Sequence, residues 1–281
     1  MNKMKRNLSR VYLSLVPLWT FILAIAVGHI SYKIYLPVWI LNMGLMVIAA
    51  WILGLHIIKD HNDVNKWLAI GALFLIVPTM LTSMFFGLGP PPETVSEWQK
   101  TATEQQIRFI MLVIAAVFVA LGFGVLREKL KTTAGNFYSV IGFSAIMVTI
   151  PLVILNMIIW GAYLPELFRI MTASGLEKSP EWFHPFREVI NLMTPVEIAI
   201  MYTGIAAFAI AIRKAGWFSR TPSMIYIVIC FVAYVITVIP YSYKLLTIPF
   251  IIVTIPASPF TLAYFIGVNL LRKAGDKKIF V

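Results

Sequence analysis

The sequence predicts an all-α membrane protein: a polytopic helical bundle of about eight transmembrane helices, forming one integral domain over residues 1–281. Hydrophobic residues make up 60% of the chain and charged residues only 12%, with a mean hydropathy of +0.86, whereas a soluble domain carries about a quarter charged residues. Eight apolar runs bounded by charged or turn-forming residues approach the roughly 20 residues that a helix needs to cross the hydrocarbon core. The basic residues also segregate between alternate loops. Eight spans leave about 120 residues for loops and tails, too few for a soluble catalytic or nucleotide-binding domain.

The first span, 11–30, follows a basic tail. Its Ala24-Ile25-Ala26 resembles a signal-peptide cleavage site, but the apolar run continues through Val27 and Gly28, so retention is expected. The second, 36–58, is separated from it by the tight turn Ser31-Tyr32-Lys33, and the third, 67–88, carries Pro78. The fourth, 107–126, is preceded by Thr101-Ala102-Thr103-Glu104, which fits a capping box. The fifth, 137–163, contains Pro151. From Pro165 to Met193 charges interrupt every apolar run, and Ser174-Gly175 reads as a stop and Ser179-Pro180 as a start. Two short interfacial amphipathic helices between spans 5 and 6 fit this pattern. The sixth span, 196–212, opens on a second capping-box pattern, Thr194-Pro195-Val196-Glu197, with proline at the first helical position. The seventh, 224–239, is the shortest, and the eighth, 246–271, is broken by prolines.

With both termini on one side, sixteen of the 23 basic residues fall on that side, in the two tails and the second, fourth and sixth loops. By the positive-inside rule both termini are expected in the cytoplasm, most simply in a plasma (inner) membrane. The formal charge of +11 then divides into +12 inside and −1 outside. The basic excess therefore faces anionic lipid headgroups, which makes membrane lipids the expected partners and nucleic acid an unnecessary explanation. Short recurrences, such as Ile40-Leu41-Asn42-Met43 at Ile154-Leu155-Asn156-Met157, stay within what chance gives in so biased a composition.

Familiar intramembrane enzymes are not expected. The single Cys230 excludes an intramolecular disulfide or a thiolate cluster, and His29, His56, His61 and His184 lack haem, diiron or H-E-x-x-H spacing. There is no Gly-rich phosphate loop and no G-x-S-x-G elbow. No metal or other cofactor is predicted.

What remains is neutral polarity at one depth. Asn42, Thr82, Ser83, Asn156, Tyr202 and Thr203 each fall about 8 to 12 Å below the outer end of a span at 1.5 Å per residue. Such a layer suits a small polar solute or an amphiphile headgroup, although interhelical glue is the commoner use of such residues. In the eighth span, Pro256 lies near the midplane, and Pro256 and Pro259 release the carbonyls of Ile252 and Ile255, with Thr254 and Ser258 at hand as partners. Pro78 reaches a similar level in the third. Glu197 is the one carboxylate near a span interior; helix capping is its leading explanation and a coupling acid the sharper one. The expected function is a transporter or channel-like protein for a small or amphiphilic solute. The alternative is a non-transporting subunit, a scaffold or a quinone- or lipid-binding partner within a larger membrane complex.

The even count is open to a direct check. In a Cys230→Ser background, cysteines placed singly at Lys3 and Lys278 should react with an impermeant maleimide from the same face, the cytoplasmic one; labelling from opposite faces would refute the threading.

Overall fold

The computed structural model describes residues 3–59, 63–89, 94–174, 183–239 and 247–276. These residues form a helical bundle without strand elements; the nearest approach to a sheet is the single bridge between His29 and Leu88. Twelve α-helices are described: α1 (Lys3–Ala26), α2 (Tyr32–Leu53), α3 (Asp63–Thr82), α4 (Phe85–Leu88), α5 (Val95–Lys100), α6 (Ala102–Leu130), α7 (Asn136–Ile158), α8 (Leu164–Ala173), α9 (Phe183–Lys214), α10 (Arg220–Val238), α11 (Thr247–Thr254) and α12 (Ala257–Gly275). A 3₁₀ turn, Leu55–Lys59, follows α2, and a π-helical turn, Ile159–Tyr163, joins α7 to α8 without interruption. Among the described residues, seven helical stretches are long and apolar enough to cross a membrane. The eighth predicted span is present as the separate pieces α11 and α12.

Consecutive long helices pack side by side, α3 on α6, α6 on α7, α7 on α9 and α9 on α10, while α12 lies against α3 and also touches α1, α2, α6 and α9. The filled centre comes from these helices: Leu75, Phe123, Ile146, Phe208, Tyr264 and Ile266 are buried. Phe123 and Phe208 stack with ring centres 4.4 Å apart. α1, α2 and α10 turn broad apolar faces outward, with Leu18, Ile25, Leu41, Ile48, Ile225 and Phe231 exposed, as lipid-facing helices do.

Hydrogen bonds tie the periphery to this centre. Tyr264 donates to the carbonyl of Leu13 at 2.6 Å, and Asn269 Nδ2 donates to the Tyr226 hydroxyl at 2.7 Å. At one end of the bundle Arg6 of α1 pairs with Asp276, just past α12, at 2.8 Å. The beginning of the first helix and the end of the last therefore share one end.

α7 and α9 cross where side chains vanish. A Cβ on Gly142 would stand 2.9 Å from the Gly204 carbonyl oxygen, and one on Gly204 would stand 3.1 Å from the carbonyl oxygen of Gly142. Small residues let helix backbones approach in lipid, where packing replaces the hydrophobic drive.

Three sequence expectations need correction. The second interfacial helix does not stand alone: from Phe183 it runs unbroken into the sixth span as the 32-residue α9, with Pro195 inside it. The capping box at Thr194–Glu197 therefore does not exist, because a helix without a start there has no free N–H groups to cap. At Thr101 a helix does begin, but its hydroxyl donates to the Glu97 carbonyl while Glu104 pairs with His29, so that box is absent too. α3 itself stops at Thr82, where Ser83 Oγ donates to the Met80 carbonyl, and the apolar stretch of the third span continues through α4 to Leu88. The start at Ser179-Pro180 lies outside the described residues; the stop does appear, with α8 ending at Ala173.

Gly142→Leu should force α7 from α9 and lower stability by about 1–3 kcal/mol, the usual range for overpacking, read as a fall in the thermal midpoint in detergent. Gly44→Ala should cause no fall, since the added Cβ meets open space.

Candidate functional site

The polar residues expected in one layer sit in three separate places. In the first, Asn42 of α2 is a fully engaged hub: its Oδ1 accepts from the Tyr12 hydroxyl at 2.7 Å and its Nδ2 donates to Ser83 Oγ at 3.1 Å. Ser83 passes its own proton to the Met80 carbonyl at 2.8 Å. Every strong group is satisfied, and the cluster binds α1, α2 and the end of α3 together. Thr82, beside it, is half-buried.

The second place is the break between α11 and α12. Pro256 offers no N–H to the Ile252 carbonyl, and Ser258 Oγ donates to that carbonyl instead, at 2.5 Å. The Ile255 carbonyl accepts from the Ser258 backbone N–H at 2.8 Å, and Tyr202 reaches across from α9 to donate to the Val253 carbonyl at 2.9 Å. Thr254 turns back to the Phe250 carbonyl at 2.8 Å, and Pro259 is buried in the first turn of α12. The break is thus held closed by its own hydroxyls. Thr203 does not join either place; it is exposed and bonds to the Ala199 carbonyl of its own helix. Pro78 lies within α3.

The third place differs in kind. Glu197 is 0% exposed and Asn156 1%. The carboxyl lies about 26 Å from the Lys214 end of α9 at 1.5 Å per residue, in the half of the bundle away from the Arg6–Asp276 pair. Asn156 Nδ2 donates to Glu197 Oε1 at 2.8 Å and to Thr194 Oγ1 at 2.9 Å. Both N–H groups of the amide are therefore spent. Glu197 Oε2 and Asn156 Oδ1 remain buried without a hydrogen-bond partner. None of the ion pairs among the described residues involves Glu197. Other buried oxygens without partners, Asn65 Oδ1, Gln105 Oε1 and Ser223 Oγ, lie near the helix ends; among the described residues, only here do two such acceptors belong to residues already bonded to each other.

The surroundings of this pair are irregular backbone and aromatic rings. One turn beyond Asn156, α7 passes into the π-helical turn Ile159–Tyr163; such turns occur frequently at functional sites. Trp160, one turn along the same face, belongs to a packed group with Trp98, Phe109 and Phe168, whose ring centres lie about 6 Å apart. On α9, Pro195 removes the bond to the Asn191 carbonyl, and exposure rises from Glu197 through half-buried Thr194 to exposed Asn191.

Two features escaped the sequence reading. Thr194 is a hydrogen-bond partner of Asn156 rather than a cap, and its spacing one turn before Glu197 was the available signal. Arg108, one of the seven basic residues left to the outer side by the charge count, is only 4% exposed: Nη2 donates to the carbonyls of Leu88 and Gly89 and closes the end of α4, above the Phe85 ring. Its burial follows from α6 starting at Ala102, before the apolar run itself. No protein-family model matches the chain, nor does any curated protein or solved structure.

Asn42→Leu should remove a satisfied interhelical hub and lower stability by about 1 kcal/mol, within the range for polar contacts between membrane helices. Asn156→Leu should cost more, about 2–3 kcal/mol, because it strands a buried carboxyl as well. Parallel thermal unfolding in detergent checks the order.

Proposed function

We propose that this chain is an integral membrane carrier for a small or amphiphilic solute bearing an O–H or N–H donor, with Asn156, Thr194 and Glu197 as the polar end of its binding site. One observation carries the reading: a carboxyl group and a carboxamide, bonded to each other at bilayer depth, each retain an unused acceptor oxygen. Ionisable groups at that depth are expensive and mark solute or ion pathways. Glu197 then serves as the coupling acid. Asn42 and Ser83 act as structural ties, and Tyr202, Thr254, Ser258 and the Pro256 break form the joint that shapes the wall beside α9.

The threading belongs to the same proposal. The Arg6–Asp276 pair supports an even number of crossings, with α11 and α12 together making the eighth. The helix ends at that end of the bundle carry Arg127, Lys129, Arg213, Lys214, Arg272 and Lys273, which supports a cytoplasmic assignment for both termini and a plasma-membrane setting with anionic lipids at that face.

A second reading has its own support. The self-satisfied break at Pro256 and the filled centre around Phe123 and Phe208 suit a non-transporting subunit whose outward apolar faces on α1, α2 and α10 meet a partner membrane protein.

Mild-detergent purification followed by mass spectrometry of the retained small molecules separates the two. The carrier reading expects a donor-bearing solute held by the wild type and depleted at least tenfold in Asn156→Leu, a loss of about 1.4 kcal/mol or more in binding. A partner protein in fixed stoichiometry, with no solute retained, would overturn it in favour of the subunit.

A further inference from the structure

The Asn156–Glu197 pair has a mismatch that side-chain rotation does not cure. The amide has given both of its N–H groups, one to Glu197 Oε1 and one to Thr194 Oγ1, so what it has left is a lone acceptor, Oδ1. An ionised carboxylate likewise has only acceptors to offer. Two acceptors left over on a bonded, fully buried pair repel rather than bind. Flipping the amide would not help, since it would place Oδ1 against one of the oxygens that Nδ2 now serves.

One particle repairs the whole arrangement. A proton on Glu197 Oε2 turns that oxygen into a donor, and the donor's natural acceptor is Asn156 Oδ1. The carboxylic acid and the amide then exchange two hydrogen bonds in a ring, N–H to Oε1 and O–H to Oδ1, with no buried polar atom of the pair left over. We infer that Glu197 and Asn156 form a proton-binding site, occupied when α7 and α9 are closed on each other as they are here.

The elements packed around the pair carry these charged and titratable groups. α6 carries Glu104, paired with His29, Arg108, whose Nη2 is committed to the Leu88 and Gly89 carbonyls, and Arg127, Glu128 and Lys129 at its far end. α7 offers only Tyr138, near its Asn136 end, and the π turn and α8 offer Tyr163 and the mutually paired, exposed Glu166 and Arg169. α10 contributes Arg220, Tyr226, Cys230 and Tyr234, and α12 contributes Tyr264, Arg272 and Lys273, the cations at the helix ends; α11 has none. On α9 itself, His184, Arg187 and Glu188 lie toward the exposed start, Arg213 and Lys214 at the far end, and Tyr202 is committed to Val253. No cation among these pairs with Glu197. Sodium would require several more oxygens than the Oε2, Oδ1 and Thr194 Oγ1 at hand, whereas a proton requires only the two.

Release of the proton has a structural consequence. The carboxylate would need a donor from water, and the graded exposure from Glu197 through Thr194 to Asn191 gives the route, along the start of α9. Hydration there parts α7 from α9 at their outer ends, while the Gly142–Gly204 crossing still holds them further in. The inference rests on the pair's geometry and stands apart from the carrier reading. If both hold, a solute donor and the proton compete for the same two oxygens, and the transport is an exchange.

The test uses the purified full chain in lipid nanodiscs. Infrared spectra at neutral pH should contain a protonated-carboxyl stretch that shifts in heavy water and vanishes in Glu197→Gln; among the described residues Glu97, Glu104, Glu128, Glu166, Glu188 and Asp276 are exposed or paired with a basic side chain. Thermal midpoints should fall as pH rises above the ordinary glutamate value of about 4.3, because the folded state then holds a proton that the unfolded state has released. Glu197→Gln, whose amide can donate to Asn156 Oδ1 as the acid does, should fold and lose this slope. A wild-type spectrum without the band, or a Gln variant that keeps the wild-type slope, overturns the proposal. A midpoint raised by sodium over choline in the wild type alone overturns it in favour of a sodium site. None of these readouts requires a transported solute, so they fail or succeed independently of the carrier test.

Discussion

Hydrocarbon offers no hydrogen bonds, and that constraint orders the whole molecule. A departure from a regular helix exposes backbone carbonyls that water would satisfy in a soluble protein, and at several breaks here a side chain does so. Ser83 serves Met80 where α3 stops, Ser258 serves Ile252 where α11 and α12 part, and Tyr202 crosses from α9 to serve Val253. Arg108 closes α4 in the same manner with a charged group. Irregular backbone at these breaks is thus accommodated without a matching deficit.

The same constraint explains why the fold was more legible than the site. Span positions depend on composition alone, and composition is local: the apolar runs 107–126, 137–163 and 196–212 lie within longer helices, because a helix does not stop where its apolar run stops. α1 begins at Lys3, α6 at Ala102 and α9 at Phe183, each well before the run proper. Charged residues extend these helices into the headgroup region at no penalty, so hydropathy underestimates them. The proline break in the last span was legible because Pro256 acts on its own helix. By contrast, equal depth does not make neighbours. Asn42 and Asn156, expected at one depth, lie on α2 and α7, which pack against different partners, and no periodicity in the sequence reports which helices meet.

Glu197 shows how a local pattern misleads. Thr-Pro-Val-Glu is sound grammar for a helix start, and in water a proline at that position would usually mark one. In lipid, a proline inside a helix is tolerated when neighbouring groups take up the freed carbonyl, and α9 runs straight through. The glutamate is thereby moved from a helix end, where it would meet free N–H groups, to a helix interior, where it meets none. Its one donor comes from another helix, through Asn156.

The hydroxyls supplied to the broken backbone make the residual mismatch at that bonded pair informative. A bundle that assigns a hydroxyl to each carbonyl at Ile252, Val253 and Met80 has the means to supply a donor to Glu197 Oε2, and a serine or threonine one turn away would suffice. Thr194 occupies such a place, yet its oxygen accepts from Asn156 and its proton points back to the Ile190 carbonyl at a long 3.4 Å. A carboxyl held only for adhesion is better replaced by glutamine, which brings the missing donor permanently and asks for nothing from solvent. What glutamine lacks is the ability to give its donor up, and retention of an acid opposite an amide acceptor is the arrangement that makes the closure of α7 on α9 conditional.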